Sequence, residues 1–117
     1  MEIENFTPYQ HGMFYENFMK RAFKGSKTTT QEMRGSTIEN IYRLKENISS
    51  DKDYDFYYDQ FDKVQEHIIK ALNYYLSKQK MTEEQKFELR LQIIKIKKSM
   101  SPGDLMKIIY DCLELTN

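Results

Sequence analysis

Apolar residues recur every three or four positions along most of the chain, the period of helices with one buried face. Two prolines punctuate the pattern. Thr7-Pro8 and Ser101-Pro102 each place a hydroxyl before a proline, the order of an N-cap followed by the first helical position. A first helix is therefore expected from about Pro8 to Lys24, ending at Gly25, with Phe14, Tyr15, Phe18, Met19, Ala22 and Phe23 in a wide stripe. Residues 25–35 lack apolar periodicity and carry glycine at both ends, so a mobile loop is expected there. Ser36-Thr37-Ile38-Glu39 fits a capping box and opens a second helix with Ile38, Ile41, Leu44 and Ile48 on one face.

The clearest pattern spans about Asp53 to Lys78. Tyr54, Tyr57, Phe61, Val64, Ile68, Leu72 and Tyr75 fall within about 40° of one line at 100° per residue. Thr82-Glu83-Glu84-Gln85 is a second capping box, starting a fourth helix that runs to about Ser99. That helix carries two stripes, Phe87, Leu91 and Ile94 on one side and Leu89, Ile93, Ile96 and Met100 on another. Lys86, Arg90 and Lys97 lie between them. Phe87 to Ile93 also alternates as a strand would, but Glu, Leu, Arg, Gln and Lys favour the helix. A last helix from Pro102 to about Leu115 aligns Leu105, Met106, Ile109, Cys112 and Leu113. The expected fold is all-α, a single domain over residues 1–117 built as a bundle of about five helices. The doubly striped helix either sits centrally or turns one stripe to another chain.

Composition narrows the function classes. At 31% charged and 39% apolar the chain is polar, but seven Phe and nine Tyr supply enough bulky apolar surface for a core, which argues against disorder. Lys plus Arg balances Asp plus Glu at 18 each. That balance disfavours nucleic-acid binding and a polybasic membrane surface. No apolar run suits a secretory leader or a spanning helix. A single cysteine, Cys112, fits a reducing compartment, so the cytoplasm is expected.

Candidate chemistry is sparse. Asp55, Asp59, Asp62 and Glu66 share one face of the third helix, opposite its apolar stripe. A carboxylate metal site would need partners on a second helix, in pairs such as Glu-x-x-His, and neither His11 nor His67 supplies one. Both histidines read as structural, and Cys112 as a small buried hydrophobe. Gly25-Ser26-Lys27-Thr28 departs from a phosphate-binding loop, because a serine separates glycine from lysine and a helix precedes it. Two basic clusters, Lys20, Arg21, Lys24 and Lys27, and Lys95, Lys97 and Lys98, could touch nucleic acid. The last helix, with Asp104, Asp111 and Glu114 against Lys107, is a poor base reader.

No catalytic, metal or cofactor residue is therefore assigned, and no cofactor is expected. The residues nominated for an interface are Leu89, Ile93, Ile96 and Met100 on the fourth helix, with Tyr58 and Tyr74 as border tyrosines. The function expected is a non-enzymatic protein-interaction or regulatory module, a small helical adaptor, inhibitor or immunity-type protein. Its partner would be another protein or a second copy of itself, rather than nucleic acid or membrane. The alternatives are a small-ligand binder or enzyme with a site formed between subunits, and a nucleic-acid-associated protein using the lysine clusters.

Overall fold

The computed structural model describes residues 6–23, 34–78, 80–99 and 101–116. They form five helices: α1 (Pro8–Ala22), α2 (Gly35–Glu46), α3 (Asp51–Lys78), α4 (Glu83–Lys98) and α5 (Pro102–Thr116). The expected loop at 25–35 lies outside the described residues up to position 33. So do Gly25 to Thr28, Lys24, Met100 and the side chain of Leu113.

Local signals start most of the helices. Thr7 and Gln10 form a reciprocal capping box at α1, and Thr82 and Gln85 form one at α4. Ser50 Oγ accepts from the Asp53 amide at the head of α3, and Ser101 Oγ accepts from the Asp104 amide at the head of α5, both at 3.2 Å. Residues 87–93 are helical throughout, which disposes of the strand alternative.

α2 departs from expectation. It begins at Gly35, its N-cap is Arg34, and Arg34 makes no side-chain capping bond. The cap comes from another helix: Glu16 Oε1 on α1 accepts the Gly35 amide at 3.1 Å. Ser36 and Glu39 therefore do not serve as the box their spacing suggests. The carboxylate at a helix N-terminus is favourably placed against the helix dipole. The Gly35 bond is the chief cause holding Glu16 below the usual carboxylate range, with Lys20 adding to it.

Glu16 can reach α2 because the two helices nearly touch. Gly12 on α1 and Gly35 on α2 are both buried, backbone against backbone. A Cβ on Gly12 would stand 2.5 Å from the Gly35 carbonyl oxygen, and one on Gly35 would stand 2.5 Å from the Gly12 oxygen. Only glycine permits that approach at both positions.

α3, about 42 Å long at 1.5 Å per residue, sets the 47 Å long axis of the molecule. It contacts every other helix. Tyr57, Phe61, Val64, Ile68, Leu72 and Tyr75 enter the core, as its periodicity predicts. They meet Tyr15, Phe18 and Met19 of α1, Ile38 and Ile41 of α2, and Leu105, Met106, Ile109 and Cys112 of α5 in one continuous cluster. Tyr54, expected on the same stripe, sits in the first turn, half-exposed, its ring packed on Tyr58 at 5.2 Å.

Candidate functional site: the outer face of helix four

α4 is the one helix that touches only two others, α3 and α5, among the described residues. It therefore flanks the bundle rather than filling its centre. Its inner stripe is Leu89, Ile93 and Ile96, all buried in the common core. These are three of the residues nominated for an interface. In the folded chain they pack against its own helices, and Met100 lies outside the described residues. Gln65 of α3 fastens this inner side, its Nε2 donating to the Ile96 carbonyl and, at 3.5 Å, to Ser99 Oγ. The same carbonyl, in the last turn of α4, also accepts from the Ser99 amide at 3.1 Å and from the Ser99 hydroxyl at 2.6 Å.

The other stripe faces solvent. Phe87 is 59% exposed, Leu91 37% and Ile94 48%. They follow at i, i+4 and i+7 and so form one continuous ridge. The ridge is bordered by exposed charges, with Arg90 beside its middle. Glu83, Glu84 and Glu88 lie toward the start of the helix, and Lys95, Lys97 and Lys98 toward its end. Single exposed apolar side chains are ordinary on protein surfaces; here three, including a phenylalanine, are adjacent.

The remaining nominated residues do not join this ridge. Tyr58 is partly exposed on the N-terminal half of α3, packed edge-on against Tyr57 at 5.4 Å, and its hydroxyl is held above the ordinary phenol range by its bond with Tyr54. Tyr74 is half-buried with its ring on Phe23 at 5.3 Å. The structure thus ties each tyrosine to aromatic packing within the chain.

Other titratable groups have structural surroundings. His11 is buried at 7% exposure, stacked on Tyr42 at 5.4 Å and 12°, with Phe6 on its other neighbour contact at 5.5 Å. Burial lowers its pKa, favouring the neutral ring. The Cys112 thiol is buried and pushed up to about 12, chiefly by desolvation, so it is held protonated and unreactive at neutral pH. Asp55, Asp59, Asp62 and Glu66 are exposed, and Asp59 pairs with Lys63 at 3.1 Å. No group of three metal-ligating side chains gathers among the described residues. No helix among them is long and apolar enough to cross a membrane.

A concavity of about 450 Å³ opens between α2 and α3. Ile41, Leu44, Phe56 and Val64 line it with apolar surface, and Arg43 and Lys63 line it too. Sequence reasoning passed over it, because it arises only when the two helices meet.

No family model, curated protein or solved structure matches this chain.

Proposed function

We propose that this chain is a non-enzymatic protein-interaction module, an adaptor, inhibitor or immunity-type protein of the cytoplasm, that binds another polypeptide through the outer face of α4. The observation supporting this is the solvent-facing ridge of Phe87, Leu91 and Ile94 on a helix already anchored to the core by its opposite stripe. A helix with one apolar face needs only one packing partner; a helix with two needs a second. The exposed parts of the three side chains together equal about one and a half buried ones, or about 2–4 kcal/mol of apolar burial per chain. That suits a weak or regulated contact once the cost of association is subtracted. The neutral overall charge and the single protonated thiol are in keeping with an intracellular binding protein.

The test is photo-crosslinking in the producing cell, with benzoylphenylalanine at Phe87 and, as control, at the exposed Asp62 on α3. The proposal expects a discrete crosslinked polypeptide from position 87 and none from position 62. No crosslink from 87, or the same diffuse set from both positions, would refute it.

A second function, small-ligand binding, is supported by the α2–α3 groove, whose partly apolar lining with Arg43 suits an amphipathic anion, Lys63 being already paired with Asp59. Shifts of the Phe56 ring signals on adding a medium-chain fatty acid would support it; unchanged signals up to millimolar ligand would exclude it.

A further inference from the structure

The order of residues along the outer face of α4 specifies its partner. Glu84, Phe87, Leu91, Ile94 and Lys98 are spaced three, four, three and four apart, the repeat of a helix-pairing seam. At 100° per residue they fall within about 40° of one line. Their sequence of types is acid, apolar, apolar, apolar, base. Glu84 and Lys98 each lie seven residues from Leu91, about 10.5 Å along the axis. Glu88 and Lys95 flank the same line on one side and Arg90 flanks it on the other, and all five charged side chains are exposed.

Along that line, and on the Glu88–Lys95 flank, the seam is its own complement when one copy is turned end for end; on the other flank Arg90 faces its counterpart close to the axis and opposes the pairing. With Leu91 against Leu91 on a twofold axis, Glu84 of one chain meets Lys98 of the other at both ends. Phe87 of each copy then lies near Ile94 of its counterpart, and Glu88 near Lys95. A parallel pairing would stack Glu84 on Glu84 and Lys98 on Lys98, which is repulsive. Acids at the start and bases at the end of a helix also favour its own dipole, which explains the charge order alone. The dipole does not explain why three apolar residues occupy the same line between them. We infer that the occupant of the α4 outer face is a second copy of this chain, docked antiparallel through the Glu84–Lys98 seam in a twofold dimer. This deepens the proposed function and rests on it, since both require the ridge to bind a polypeptide.

Two charge-reversed chains test the inference, Glu84→Lys with Glu88→Lys, and Lys95→Glu with Lys98→Glu. Their masses are followed by light scattering from about 1 µM to about 1 mM, the range of weak interfaces. At low ionic strength the wild type is expected to pass from monomer to dimer. Each reversed chain alone is expected to weaken association tenfold or more, as attractive pairs become repulsive. An equimolar mixture of the two is expected to dimerise again, which also shows that both have folded. Orientation is read by disulfide formation. Glu84→Cys mixed with Lys98→Cys should crosslink, whereas Glu84→Cys alone should not; the buried native Cys112 stays out of the exchange.

A wild type that stays monomeric throughout overturns the inference. So does self-crosslinking of Glu84→Cys, or dimerisation of the reversed chains at wild-type strength. A monomeric wild type that still yields a foreign crosslink from position 87 sinks the second copy and leaves the interaction module standing. A monomer with no crosslink at all sinks both.

Discussion

Replacing Gly12 by alanine sets two opposing effects against each other, and the structure decides between them. Gly12 lies inside α1, where alanine improves helix propensity by about 0.8–1 kcal/mol. The new Cβ, however, would stand 2.5 Å from the Gly35 carbonyl oxygen, 3.1 Å from its carbon and 3.3 Å from its Cα. All three are backbone atoms, so no rotamer change relieves the contact. α1 and α2 must separate, and separation also stretches the Glu16 bond to the Gly35 amide. Overpacking of a tight contact costs about 1–3 kcal/mol, occasionally more. Loss of a helix cap adds about 0.5–2 kcal/mol. The expected net result is destabilisation by about 1–4 kcal/mol, a fall in melting temperature on the order of 5–15 °C for a domain of this size. Gly103→Ala is the matched control, because its Cβ would meet only Ser101 Oγ, at 4.0 Å. It should be neutral or slightly stabilising. Urea unfolding followed by circular dichroism measures both. If Gly12→Ala matched or exceeded the wild type, the close approach of α1 and α2 would be refuted.

Three further outcomes follow from the same contacts. Glu16→Ala should destabilise by about 1 kcal/mol through loss of the α2 cap. Because folding lowers the Glu16 pKa, its stabilisation is full above the ordinary carboxylate range and fades as pH falls through the folded value. The variant should therefore show a shallower acid limb in urea midpoints against pH. His11 also has a lowered pKa when folded, so protonation favours the unfolded chain. Wild-type stability should decline as pH falls below 6.5, and His11→Phe should remove that portion of the decline. Cys112 should resist thiol reagents at neutral pH in the folded protein and react fully in denaturant; prompt labelling of the folded chain would contradict its burial.

The local features of this fold were legible in the sequence. Thr7, Ser101 and Thr82 start helices by hydrogen bonds within four residues, and the α3 stripe is continuous enough to face the core without further information. Features made by two distant segments were not. The cap of α2 comes from Glu16, nineteen residues before Gly35, so the nearby Ser36 and Glu39 gave a plausible but incorrect box. An unexplained glycine inside the α1 pattern was the available hint of the Gly12–Gly35 approach. The stripes of α4 were indistinguishable by hydrophobicity: Leu89, Ile93 and Ile96 against Phe87, Leu91 and Ile94. What separates them is which side receives α3 and α5, a tertiary fact. The residues nominated for an interface, Leu89, Ile93 and Ile96, belong to the stripe that the fold buries.

α4 keeps one side in the core, and the proposed function needs its other side to be available to a partner. The direct test is a pair of substitutions two residues apart, Leu89→Asp and Leu91→Asp, compared by urea unfolding and by solution mass. Leu89 is fully buried, so an unpaired carboxylate there should exceed what a domain of about 5–15 kcal/mol stability can absorb, and the chain should unfold. Leu91 is on the open ridge, so its variant should keep stability within about 1 kcal/mol of wild type while losing association. A folded Leu89→Asp, or a Leu91→Asp that unfolds or associates as the wild type does, would contradict the account.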